Sequence, residues 1–386
     1  MYGGHLLNRA IHSFVSVLSC AGTALSPLSA SHAAADGAPS KVTFAAIAKR
    51  YLQRRADQLT PAGGGRRASD ASTMGGELAR TFAQEAVALT RRRDALRLID
   101  GGYRSAEVEV TPGALTVDGS RARLDVTEYT ELFFASVAAD APSDHEAYVL
   151  PHDLEFLRSG GVWRVTTDHA RVAPGGPPPG TRLESPPPAP PTPDDPAPRP
   201  GDGPPADTRR PADGARGDVP MATQGLGARE KAAAVWYAEK YWYHHNGAYR
   251  TYAQDCTNFI SQAMRQGGWR FIGSGFWSRK DKTKWYYGSN THTTSHTWAN
   301  AEDWGIFARD KSHRTARLGN VWYLQPGDVL QADFDPGSGK DHSMIVVAWD
   351  RRGERYLDYH SNDTWHRKLS YLLQQFPHAR WYAHRT

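Results

Sequence analysis

Cysteine is nearly missing from this chain: Cys20 and Cys256 are the only two in 386 residues. That excludes a disulfide framework and any Cys-x-x-Cys zinc site. Net charge is also sparse. The 46 basic side chains face 41 acidic ones, so nothing argues for nucleic acid as a partner. No apolar run approaches the ~20 residues of a membrane-spanning helix, and no transmembrane segment is expected in the mature chain. Large apolar residues are almost absent from 173–222, which holds seventeen of the twenty-six prolines. Such a stretch cannot bury a core, and it is expected as an extended, disordered Pro-rich linker.

What is present divides around that linker. Residues 1–35 have the form of an export signal. Arg9 supplies a basic n-region, Ala10 to Leu28 is mostly small and apolar, and Ala33-Ala34-Ala35 offers a cleavage site. This predicts a secreted or cell-wall-associated protein, with lipid anchoring at Cys20 as the weaker alternative. Removal of the signal leaves Cys256 as the one thiol: buried and inert, intermolecular, or reactive.

Residues 41–172 read as a smaller α+β domain. Helical patterns cover Phe44 to Leu59 and Gly76 to Leu98. After Gly101-Gly102 the period changes to two, and a strand meander closes on Gly160-Gly161-Val162-Trp163-Arg164-Val165. Helices followed by such a meander resemble NTF2-like or cystatin-like accessory domains. His145, His152 and His169 share no motif and are expected as satisfied surface or core residues.

Residues 223–386 hold eleven of the twelve tryptophans and 22 basic against 15 acidic residues. Helices are expected over 228–245, 256–266 and 298–311, the last capped by Ser295. Strands are expected over 328–334, 342–349 and 355–360. A short helix (370–376) and a last strand (380–384) complete an α+β domain.

The chemistry centres on Asp255-Cys256-Thr257-Asn258-Phe259-Ile260. Asp255 is a natural N-cap, which sets Cys256 at the first helical position. There, the helix dipole favours a thiolate. The charge on Asp255 opposes this, so a histidine is needed. His342, opening the apolar run 344–348, is the expected base. If strands 342–349 and 355–360 form a hairpin, His360 comes close to orient the ring, with Asn362 and Asp363 as competitors. The Cys256 N–H is the natural first oxyanion donor; Asn246, Tyr249 and Tyr252 are candidates for the second. His292 and His296 stand four apart without a third ligand, so no metal is assigned.

These motifs, with Ser295-His296-Thr297-Trp298, Gln325-Pro326-Gly327-Asp328-Val329, Asp341-His342-Ser343-Met344 and Tyr359-His360-Ser361-Asn362-Asp363, resemble the amidase-domain family. That family stands with the NlpC/P60- and CHAP-like relatives of papain-type cysteine enzymes. The resemblance covers about 225–386. It implies a papain-like (NlpC/P60-type) fold and amide hydrolysis through a thioester, with Cys256 as nucleophile, His342 as base and His360 as orienting residue. It also makes Ser295 and Trp298 candidates for the substrate cleft. No cofactor is implied. The expected partner is a peptide or peptidoglycan-like substrate, with anionic cell-wall polymer as a further contact. The alternative is a non-catalytic cell-wall-binding module that retains the fold. It accounts equally for the tryptophans, the basic balance and the Pro-rich spacer.

Overall fold

A computed structural model describes residues 39–65, 73–183, 204–211, 220–336 and 339–386. The export signal and Cys20 lie outside these residues, as do 184–203 and 212–219 of the Pro-rich segment. In the N-terminal half, α1 (Lys41–Asp57), α2 (Pro61–Gly65) and α3 (Gly76–Asp100) precede β1 (Tyr103–Asp118), β2 (Arg121–Phe134), β3 (His145–Ser159) and β4 (Val162–Ala170). In the C-terminal half, α4 (Ala228–Tyr241), α5 (Cys256–Gln266), α6 (His296–Ala299) and α7 (Ala301–Ile306) come first. They are followed by β5 (Ala316–Leu318), β6 (Val329–Asp333), β7 (His342–Trp349), β8 (Arg355–Tyr359), β9 (Thr364–Lys368), α8 (Leu369–Gln375) and β10 (Arg380–Arg385).

The strands form one large antiparallel sheet of mixed α/β architecture, in the order β1-β2-β3-β9-β8-β7-β6-β10-β5, with β4 also on β3. The halves therefore meet edge to edge, with Ala147 opposite Trp365 and Tyr148 opposite Thr364. Buried ion pairs reinforce the seam. Arg367 donates to Glu146 at 2.5 Å, and Lys368 pairs with Asp100.

Local pattern explains most elements. On α1, Phe44, Ala48, Tyr51 and Leu52 form one buried stripe, and the Ser40 hydroxyl accepts from Thr43 N at 3.3 Å to start the helix. On β2, alternate residues Leu124, Val126, Leu132 and Phe134 face inward. Glu128 and Thr130 share that inward parity and must find polar partners there.

Those partners form a buried network. His152 Nδ1 donates to Asp168 Oδ1 at 2.7 Å, and its Nε2 donates to Glu128 Oε2 at 2.9 Å. Both partners are carboxylates, which favours the charged ring, while Arg182 Nη2, 3.0 Å from Nδ1, opposes it. Burial alone would discharge it, but the hydrogen bonds to Asp168 and Glu128 hold its pKa above the ordinary value. Burial likewise opposes the charge on Asp168, and Arg182 and His152 more than reverse it. Tyr51 donates to Asp168, and Tyr148 to Glu128, at 2.9 and 2.7 Å.

Three expectations need correction. The helix expected over 298–311 is broken: α6 ends at Ala299, and Asn300 after it is extended, its side chain accepting from Asp303 N at 2.9 Å to start α7. Two short strands, β5 and β9, were not foreseen. The Pro-rich segment is not wholly disordered coil. Residues 173–183 fold against the body, with 175–182 buried. Residues 206–208 also bond to the C-terminal half, where Ala206 N donates to Trp381 O at 2.8 Å. Proline leaves its carbonyl free to accept, so a stretch without a core of its own still docks through its carbonyls.

The network sets a pH window for stability. Asp168, with its depressed pKa, contributes above its unfolded value near 4, and that contribution is lost as pH falls through the folded value. His152, with its raised pKa, contributes fully below about 6.5, and that contribution is lost as pH rises through the folded value. Replacing Asp168 by Ala should cost about 3–5 kcal/mol near pH 5–6. Urea unfolding across pH measures this; a loss that does not shrink toward pH 2 would contradict the linkage.

Candidate active site

The first turn of α5 meets the start of β7. Phe259, Ile260, Ala263 and Met264 are buried on the sheet side and hold the helix down. This fixes where Cys256 emerges. Its Sγ lies 3.7 Å from the Thr257 hydroxyl and 3.9 Å from the Asp341 carbonyl. Thr257 Oγ1 in turn contacts Ser343 Oγ at 3.1 Å. The thiol therefore stands against the backbone on either side of His342.

The two groups are adjacent but not hydrogen-bonded. Alternation along β7 turns Ser343 toward α5 and His342 toward Tyr359 and Phe334, whose ring centroids lie 5.1 and 6.2 Å from the imidazole. Among the described residues, neither ring nitrogen of His342 has a hydrogen-bond partner. Burial pushes its pKa down to about 3, and the nearby Gly175 backbone only partly opposes this. Burial also pushes the Cys256 thiol up to about 11, against the Thr257 hydroxyl and Ser343 backbone contacts that lower it. The thiol is thus protonated and the imidazole neutral.

Asp255 takes the N-cap position of α5, as expected, but its side chain makes no capping bond. Its Oδ1 accepts from Tyr252 N at 2.8 Å and Asn258 Nδ2 at 2.9 Å. Its Oδ2 accepts from His360 Nδ1 at 2.6 Å, and His360 Nε2 donates to the Tyr241 carbonyl at 2.7 Å. His360 is therefore not available to orient His342: both its nitrogens are used. The hairpin does form, but His360 takes the opposite parity from Tyr359 and faces α5. Burial lowers its pKa, but Asp363 and the bond to Asp255 outweigh that, and the ring is held charged.

Other expected residues are also placed elsewhere. Asp363 accepts from His245 Nε2 at 3.0 Å. Asn246 serves its own turn, accepting from Ala248 N and donating to Tyr237 OH, and the Tyr252 hydroxyl accepts from Arg250 at 3.0 Å. Tyr249 stacks on Trp298. Ser295 and Trp298 are fully interior. Ser295 bonds to the Tyr286 backbone and Trp298 Nε1 donates to Asn258, so neither lines a cleft.

Two groups missed in the sequence stand at the site. Gln254, two residues before Cys256, has a buried Nε2 with no partner among the described residues. The strap Ala173-Pro174-Gly175-Gly176-Pro177 runs beside it. Asn362 clamps this strap: its Oδ1 accepts from Ala173 N at 2.7 Å, and its Nδ2 reaches the Gly176 and Pro177 carbonyls at 3.2 Å. Asn362 therefore remains within the site, bound to the strap. The signal for the strap was the Gly-Gly pair between prolines; Gln254 carried none beyond its nearness to Cys256.

Residues 228–383 match the family model described as a putative amidase domain. The match suggests amidase activity. The uncharacterized protein YhbB of Bacillus subtilis (strain 168) is 31% identical over 149 residues, which is 37% of this chain and 44% of that protein. The chain thus spans under half the length of that relative. Among solved structures, the Kfla4162 protein of Kribbella flavida is 19% identical, covering 34% of this chain and 91% of its own, with a TM-score of 0.24. The intermembrane space region of the chloroplast protein ARC6 is 13% identical, covering 34% and 97%, at 0.21. At these scores neither likeness bears on the fold.

Alkylation reports the state of the thiol. With its pKa near 11, Cys256 in the folded chain should react slowly with iodoacetamide at pH 7 and progressively faster toward pH 11. Mass spectrometry of the Cys256 peptide across pH measures it. Rapid labelling at pH 7 would show a thiol that is not closed off.

Proposed function

We propose that residues 223–386 form a papain-like, NlpC/P60-type domain that hydrolyses an amide bond with Cys256 as nucleophile. One observation carries this reading, beside the family match. Cys256 stands at the edge of β7, and Gln254 Nε2, the His342 ring and Asn362 surround the Gly175–Gly176 peptide beside it. A buried thiol kept only for packing explains neither the unpartnered amide nor a buried ring that meets only the Gly175 backbone.

Catalysis requires the strap to leave. Water and substrate then restore ordinary pKa values, and His342 rotates to take the thiol proton. The thiolate attacks the amide carbon; a C–S bond forms and the carbonyl electron pair moves to oxygen. The Cys256 N–H and Gln254 Nε2 are the donors suited to that oxyanion. His342 passes its proton to the departing amine as the C–N bond breaks. Water, deprotonated by His342, then attacks the thioester, and the acid leaves with the thiol restored. Asn362, freed of the strap, is the candidate to orient His342.

Cell-wall peptide is the proposed substrate, and a secreted or wall-associated location the proposed setting. The export-like residues 1–35 and the basic balance of 223–386 support both. One observation favours the non-catalytic wall-binding reading: Trp277 is 94% exposed beside half-exposed Phe276.

Cys256→Ala and His342→Ala should each lower turnover of a peptide-amide or peptidoglycan panel by about a thousand-fold or more. Gln254→Ala should lower it by about a hundred-fold, the loss typical of one oxyanion donor. Full activity in either of the first two variants would sink the mechanism, and wall binding without turnover in the wild type would favour the alternative.

A further inference from the structure

Hydrogen bonds anchor the strap on both sides of its glycines. Beyond the Asn362 clamp, Gln375 Nε2 donates to the Pro178 carbonyl at 3.2 Å and Arg55 Nε to the Thr181 carbonyl at 3.0 Å. Arg92 donates to the Gly180 and Arg182 carbonyls at 2.5 Å. Arg182 is bound into the His152–Asp168 network, at 2.8 Å from Asp168. Between these anchors, Gly175 and Gly176 pass the start of α5 and the start of β7.

Only glycine fits there. A Cβ on Gly175 would sit 2.8 Å from Gln254 Nε2 and 3.1 Å from the Asp341 carbonyl, the same carbonyl that the Cys256 thiol touches. Gly175 also takes φ +69°, a left-handed backbone that disfavours other residues. A Cβ on Gly176 would run into the Ser361 carbonyl and stand 2.9 Å from Ser361 Cβ. Ser361 and Asn362 are rigidly placed, since both hold positive φ at the turn into β9 and Ser361 Oγ accepts from Asp255 N at 2.9 Å. The Asp341 and Ser361 walls are backbone and yield little to a larger residue, whereas the Gln254 amide ends a flexible side chain that can shift.

We propose that this cleft is a diglycine subsite, selective for peptides with two successive glycines, and that Gly175-Gly176 occupies it as an intramolecular competitor. This rests on the reading of Cys256 and His342 as the reacting pair and narrows it to a class of substrate: a peptide with paired glycine that turns at the first glycine, with the carbonyls of the second glycine and of the residue after it taken by the Asn362 amide. Selectivity arises because each added methyl meets a backbone carbonyl, that of Asp341 at the first glycine and that of Ser361 at the second. The bound strap also excludes water from the thiol.

The test uses the full chain and reads binding without relying on turnover. Gly176→Val should expel the strap and raise iodoacetamide labelling of Cys256 at pH 7 by about a hundred-fold, the ratio of thiolate fractions for a thiol near 11 and one near its ordinary 9. In that variant, a capped Ala-Pro-Gly-Gly-Pro peptide should protect Cys256 again, and Ala-Pro-Ala-Ala-Pro should not. Unchanged labelling, or equal effect of the two peptides, overturns the proposal. Should Gly176→Val fail to fold by circular dichroism, Gly175→Ala applies the same test with a smaller side chain. Selective protection in a chain that turns over no amide would keep the subsite and refute the hydrolytic reading alone.

Discussion

The seating of α5 on the sheet is the constraint on which the site depends. Phe259, Ile260, Ala263 and Met264 are buried under the helix, and truncating Phe259 alone would cost about 3–5 kcal/mol. That packing fixes the first turn of the helix at the start of β7, where Cys256 is buried. The consequence for Cys256 is decided by magnitude. A helix N-terminus favours a thiolate by about 1 kcal/mol at most in ordinary settings. The rise of the thiol from its ordinary 9 to about 11 corresponds to roughly 3 kcal/mol in the other direction. Desolvation wins, and the same burial discharges His342. An arrangement of residue types suited to nucleophilic chemistry is thus held in its uncharged form.

Charge is retained where partners were built for it. Asp255 sits beside the thiol, yet the doubly bonded ring of His360 balances it, so the carboxylate adds only a minor part of the rise at Cys256. In the N-terminal half, His152 plays the same part between Glu128 and Asp168. Each is an imidazolium between acceptors, buried and fully used. The N-terminal network also holds Arg182 and with it one end of the strap. The N-terminal half is thereby coupled to the candidate site through the chain itself.

Much of the frame was legible from pattern. The span of α5, the three central strands β6, β7 and β8, and the amphipathic α1 follow from apolar periodicity and from Gly and Pro punctuation. The elements that were missed are those whose cause is not periodic. The break at Asn300 depends on one side chain choosing the Asp303 amide, and β9 depends on two left-handed residues, Ser361 and Asn362. His360 was expected beside His342 because a hairpin brings strand ends together. The hairpin is there, but side-chain parity turns the two rings to opposite faces.

The sequence by itself determined where the proposed nucleophile and base stand in the C-terminal half. Cys256 at a helix start and His342 at a strand start are local facts, written in residue type and spacing. Tertiary structure alone decided what surrounds them: that Asp255 binds His360 instead of capping, that Ser295 and Trp298 lie inside, and that Gln254 is left without a partner. It also placed Gly175 and Gly176, some eighty residues before Cys256, across the cleft. Composition marks that stretch as unable to form a core. Its carbonyls and missing side chains nevertheless fit a groove made by distant segments, and that complementarity exists only once those segments are folded.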